Sequence, residues 1–194
     1  VQNNEHIPND VYDSRYFKRF DPDLYDPSAW ARAASGAGMK YFVVTTKHHE
    51  GFCIWDTRLT DFKAPNTPAG RDLLKPMVKA FREENMRVGL YHSLLDWHHP
   101  HYVLDHHYGP YRDHKDRETM NKGRNQKLYA KYLHGQVREL LTKYGKIDVM
   151  WFDFSYPKPD GTGKGCKDWD GEALYKMVRK LMPKVILDDR LDMK

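Results

Sequence analysis

Asp153 closes an apolar run, IDVMWF over residues 147–152, and is followed at once by Phe154, Ser155, Tyr156 and Pro157. A carboxylate where a buried strand meets its loop, with aromatic rings on either side, is a candidate for sugar chemistry. Strand alternation puts Val149, Trp151 and Asp153 on one face. An indole there can pack against the C–H face of a pyranose while the carboxylate reaches the anomeric carbon. The competing reading is an aspartate that caps the next loop, and one strand alone does not separate the two.

His48 and His49 follow the run YFVVTT of residues 41–46. Adjacent residues on a strand point to opposite faces, so this pair is not expected to chelate one metal; metal sites favour spacings such as HxH or HxxxH. One histidine is expected to hydrogen-bond a ligand's hydroxyls while the other supports it from behind. Tyr91 and Ser93 share a face of the run RVGLYHS, residues 87–93, where Tyr91 is either a core tyrosine or a hydroxyl donor to a ligand. His98, His99 and His101, with Asp105, His106 and His107, fall in a polar stretch. A metal-dependent hydrolase built on these clusters is one alternative reading. Glu50 and Asp56 are further acids after the first run, with nothing in their spacing to favour them.

These residues need a scaffold, and the sequence alternates strand and helix. Asp26 and Pro27 read as an N-cap followed by proline at the first helical position. Trp30, Ala33, Ala34 and Ala37 then keep helical spacing, with Gly38 as terminator. YFVVTT suits a strand buried on both faces. Leu73, Leu74, Met77, Val78 and Phe81 form the next helical stripe, with Pro76 in its first turn. After the strand at 87–93 comes a long helix marked by Tyr129, Leu133, Val137, Leu140 and Tyr144 and ended by Gly145. A third strand is expected over 147–152, a helix around Leu174, Val178 and Leu181, and a fourth strand from Val185 to Leu187. Alternating elements predict a parallel sheet with right-handed crossovers. Periodicity does not choose between a barrel and an open doubly wound sheet, but polar and aromatic residues gather after the strand ends, where such sheets build their sites.

No glycine-rich phosphate loop follows a strand, so no nucleotide cofactor is expected. A net charge of +5 permits attraction to polyanions, yet Lys and Arg are interleaved with acids, as in residues 112–118, so neither nucleic acid nor membrane is an expected partner. Cys53 and Cys166 form no CxxC motif and are read as plain thiols.

Three strings together resemble one family: MKYFVVTTKHHEGFCIWDTRLTDF, VGLYHSLLDWHHPHY and IDVMWFDFSYP. They look like signature regions of the α-L-fucosidases of glycoside hydrolase family 29, and the resemblance runs from about Tyr16 to Arg190. It implies a TIM-barrel-like parallel (β/α) fold, here about half a barrel in a single partial domain over 1–194, with four strands resembling the second to fifth. By motif, Asp153 matches the catalytic nucleophile, and His48 and His49 the paired histidines that contact fucose. Tyr91 matches the tyrosine of the G-x-Y-x-S strand, Trp151 the tryptophan before the nucleophile, and Arg190 the arginine on the following strand. The resemblance implies retaining hydrolysis of terminal α-L-fucose from a fucosylated glycoconjugate and a secreted, periplasmic or lysosomal setting, while the adjacent spacing of His48 and His49 predicts that no metal is needed. It also places a sugar-binding histidine before residue 1 and the general acid/base beyond Arg190. A catalytically weak carbohydrate-binding half-barrel is therefore the main alternative, and open barrel edges would favour self-association.

Overall fold

The computed structural model describes residues 2–193. Four strands, β1 (Tyr41–Lys47), β2 (Arg87–Ser93), β3 (Val149–Asp153) and β4 (Ile186–Leu187), form one sheet in that order. Every pairing is parallel. The helices are α1 (Asn9–Arg15), α2 (Pro27–Gly36), α3 (Leu74–Glu83), α4 (Arg117–Met120), α5 (Gln126–Lys143), α6 (Cys166–Trp169) and α7 (Gly171–Leu181).

Local chemistry sets several of these boundaries. The Asp26 carboxylate accepts from Ala29 N–H at 2.9 Å and caps α2, a bond worth about 1 kcal/mol. Asn125 does the same for α5, accepting from Lys127 and Leu128. Gly38 and Gly145 follow α2 and α5 with φ of +79° and +72°, the left-handed conformation that ends a helix most cheaply in glycine.

Alternation divides the sheet into two unlike faces. Val88, Leu90, Met150 and Phe152 point into one cluster with Leu74 and Val78 of α3, Leu133, Val137 and Leu140 of α5, and Leu174 and Val178 of α7. Phe42 stacks on Phe81 of α3 at 3.8 Å between ring centroids. The opposite face stays open, with Tyr41 62%, Trp151 42% and Ile186 59% exposed. A doubly wound sheet carries helices on both faces, whereas a barrel wall carries them on one. The helices that follow the strands cover a single face here, so the sheet is part of a barrel wall. The expectation that β1 is buried on both faces does not hold: its Tyr41 side lines the barrel interior, and nothing among the described residues covers it.

Side chains set the start of β3, two residues later than the sequence reading puts it, and the end of β4, where that reading puts it. Asp148 does not join β3 because its carboxylate accepts Val88 N–H at 3.0 Å, beside the backbone bond from Asp148 N–H to Val88 at 2.7 Å. β4 stops at Leu187 because the Asp188 carboxylate, not the backbone, takes Phe152 N–H at 3.1 Å.

Candidate active site

β3 delivers Asp153 to the C-terminal edge of the open face, in register with Ser93, while Trp151 lies in register with Tyr91. The Tyr91 hydroxyl donates to Asp153 Oδ2 at 2.7 Å. Burial first, and then this bond, hold the Tyr91 phenol well above its usual range, so it stays a donor. Arg190 Nη1 lies 3.5 Å from Asp153 Oδ1. One carboxylate is thus aimed by a hydroxyl on one oxygen and a guanidinium on the other. The Trp151 ring meets Tyr91 edge-on at 5.8 Å and keeps a free face.

The histidines correct the alternation argument. β1 ends at Lys47, and the ladder slips between Thr45 and Lys47, pairing Lys47 with His92. His48 and His49 therefore leave the strand through a turn, closed by Gly51 N–H on the His48 carbonyl at 3.0 Å. Their rings lie 4.0 Å apart instead of on opposite faces. His48 stacks over Tyr91 at 5.8 Å with 10° between planes, and its Nδ1 lies 3.4 Å from Glu50. His49 Nδ1 shares a 2.6 Å hydrogen bond with Ser93 Oγ. Phe154 and Trp97 box its ring edge-on at 4.9 and 5.4 Å. Burial, with the charges of His48 and Lys47, pushes the His49 imidazole down to about 3. The ring is neutral, and among the described residues its Nε2 has no protein partner, which leaves that nitrogen available to a ligand hydroxyl.

Phe154 adopts φ of +88°, strained for a bulky residue, immediately after Asp153. Its ring is held between His49 and Tyr108, the latter at 4.5 Å. Tyr156 packs on Phe154 and Tyr108 and donates to the buried Asp105, which also pairs with Lys164 at 2.8 Å. This clasp joins the loops after β2 and β3 beneath the site. Sequence reading missed Phe154 and the Asp105–Lys164 pair, since neither strain nor a contact across 59 residues leaves a local pattern.

The remaining candidates separate from the site. Asp56 pairs with Lys63 at 2.8 Å on the surface. His98 stacks on Phe62 at 3.9 Å and binds Asp13, and His99 packs against Tyr132 at 4.1 Å. Among the described residues no group of three or more His, Cys, Asp or Glu side chains is placed to hold a metal. Cys53 and Cys166 are free thiols.

A one-sided helix layer over parallel strands, with an oriented carboxylate, an exposed indole and a buried imidazole at the strand C-termini, defines the class: part of a (β/α)-barrel domain with its candidate site at the strand C-termini. Residues 2–194 match the sequence model described as Alpha-L-fucosidase, and the chain belongs to that family. Its sequence is 34% identical over 157 residues to the tissue α-L-fucosidase of Bos taurus, covering 80% of this chain and 31% of that protein. Among solved structures, α-L-fucosidase isoenzyme 1 from Paenibacillus thiaminolyticus superposes with TM-score 0.89 at 50% identity, over 98% of this chain and 44% of that one. A family 29 α-L-fucosidase from Bacteroides thetaiotaomicron, solved as a trapped covalent intermediate with 2-fluoro-fucosyl fluoride, superposes with TM-score 0.77 at 30% identity, over 96% and 39%. The chain thus spans less than half the length of these relatives.

Proposed function

We propose that this chain supplies the nucleophile side of a retaining α-L-fucoside hydrolase. Asp153 attacks the anomeric carbon and the glycosidic oxygen leaves with the bonding pair, giving a fucosyl ester on the carboxylate. Water then attacks the same carbon and releases fucose and free Asp153, so two inversions return the original configuration. Tyr91 and Arg190 aim the carboxylate, Trp151 packs on the apolar sugar face, and His48 and His49 hydrogen-bond fucose hydroxyls. The proton that the leaving oxygen takes up comes from a general acid that the family resemblance places beyond Arg190. The substrate class is a fucosylated glycoconjugate.

The observation that carries this reading is the carboxylate of Asp153 held between Tyr91 at 2.7 Å and Arg190 at 3.5 Å on the face that also presents Trp151. The alternative, a segment that binds sugar without turning it over, follows from the family resemblance placing the general acid beyond Arg190. Aryl α-L-fucoside turnover by the protein as its gene encodes it decides between them. Asp153→Ala lowers turnover by several orders of magnitude and added azide restores part of it; wild-type turnover in the variant refutes the assignment.

A further inference from the structure

Lys47 and Asp96 form the most deeply buried ion pair among the described residues. Their side chains are 0% and 2% exposed, with Lys47 Nζ 3.2 Å from Asp96 Oδ2. Burying an ion pair gains little over packing apolar groups in its place, and its best-attested use is to specify one arrangement over another. Both residues lie beside site segments: Lys47 directly before His48 and His49, and Asp96 directly before Trp97.

The geometry shows what the pair selects. The slip in the β1–β2 ladder skips Thr46, whose hydroxyl instead donates to the Tyr91 carbonyl at 2.8 Å. Such an irregularity bends a strand and re-aims the side chains after it. Here it turns Lys47 toward the helix layer, level with the buried His92. Its ammonium meets Asp96, lies 3.4 Å from the Tyr129 hydroxyl, and sits over the rings of Tyr129 and Tyr132 at 5.6 and 5.4 Å. Without the slip, strict alternation would send Lys47 to the open face and His48 to the helices. Asp96 closes the other side, its Oδ1 accepting from the backbone N–H of His98 and His99 at 3.1 and 2.8 Å. Between them the backbone bond from Trp97 N–H to the His49 carbonyl, 2.8 Å, ties the two loops. Gly51, at φ of +90°, lies against Asp96 so closely that a Cβ would overlap the carboxylate.

We propose that Lys47 and Asp96 are positioning residues: their buried ion pair locks the slipped end of β1 against the loop after β2 and so presents His48 and His49 to the sugar. The proposal rests on the reading of those histidines as ligand-binding.

The test uses Lys47→Met, Asp96→Leu and the double variant, with His49→Ala as control. The readouts are melting temperature, affinity for a fuco-configured iminocyclitol, and the ring-nitrogen NMR signals of His49. The single variants are expected to be destabilised, because each leaves a buried charge without its partner. The double variant is expected to melt close to the native protein, bind the iminocyclitol on the order of tenfold more weakly, the scale of one charge-assisted hydrogen bond, and show shifted His49 ring signals. A folded double variant with native affinity and native His49 signals would overturn the proposal. So would one too unstable to assay, since the pair would then hold the fold and not the register. Undiminished affinity in His49→Ala would strike the site reading itself, and the proposal with it.

Discussion

Acidification probes the buried imidazole of His49 directly. Its folded-state value is depressed from 6.5 to about 3, by burial and then by the neighbouring His48 and Lys47. A depressed value contributes stability that is present above the unfolded value and lost as pH falls toward the folded one. The window therefore runs from about 6.5 down to about 3. Each pH unit well inside it costs about 1.4 kcal/mol, and integrating from roughly pH 7.5 to pH 5 gives a loss of about 2 kcal/mol from this group. Other groups act over the same range. His92 and His99 are also pushed down by burial, His99 to about 4, and add losses of the same sign. Asp188 opposes them, because burial raises it to about 6 and its contribution is lost as pH rises through that value. The total slope is therefore uninformative, and the measurement is a difference. Urea unfolding of the native chain and of His49→Gln at both pH values should show a variant curve flatter by about 2 kcal/mol. If the two curves run parallel, His49 is not held neutral by its surroundings, and its assignment as an uncharged ligand-binding group fails.

Tyr91→Phe removes the hydroxyl from Asp153 Oδ2 while keeping the ring under His48; turnover should fall by roughly 10- to 100-fold, the range for a hydrogen bond to a charged group, with little change in KM. Gly89→Ala should cost about 1–3 kcal/mol by urea unfolding, because a Cβ there lies 2.8 Å from Val43 Cγ2 and 3.2 Å from the Phe42 carbonyl in the middle of the sheet. Prolonged treatment with EDTA should leave aryl fucoside turnover unchanged; loss on chelation with recovery on adding zinc would revive the histidine-cluster reading.

The strands and principal helices were legible because burial imposes a period, and YFVVTT, RVGLYHS and the α5 stripe carry it plainly. Strand ends were less so. At Asp148 and Asp188 a side chain takes over a ladder bond, and the identity of the residue does not reveal whether it will. The shared face of Asp153, Trp151 and Tyr91 was legible because all three sit on regular strand where alternation holds. The placement of His48 and His49 failed by the same rule, since the slip at Thr46 breaks alternation two residues before His48. Nothing in the sequence marks Lys47 and Asp96 as a buried pair, and only a fold that brings together positions 49 residues apart exposes the contact.

The central claim is that Asp153 forms the covalent bond to the sugar. 2-Fluoro-fucosyl fluoride offers the direct test, since its fluoride departs with little need of a general acid and the 2-fluoro group slows the second step. After incubation with the protein as its gene encodes it, intact mass and peptide mapping should show one fluorofucosyl group, borne by the peptide that contains Asp153 and absent from Asp153→Asn. An adduct on another carboxylate, or steady turnover with no adduct in the native protein, would contradict the account.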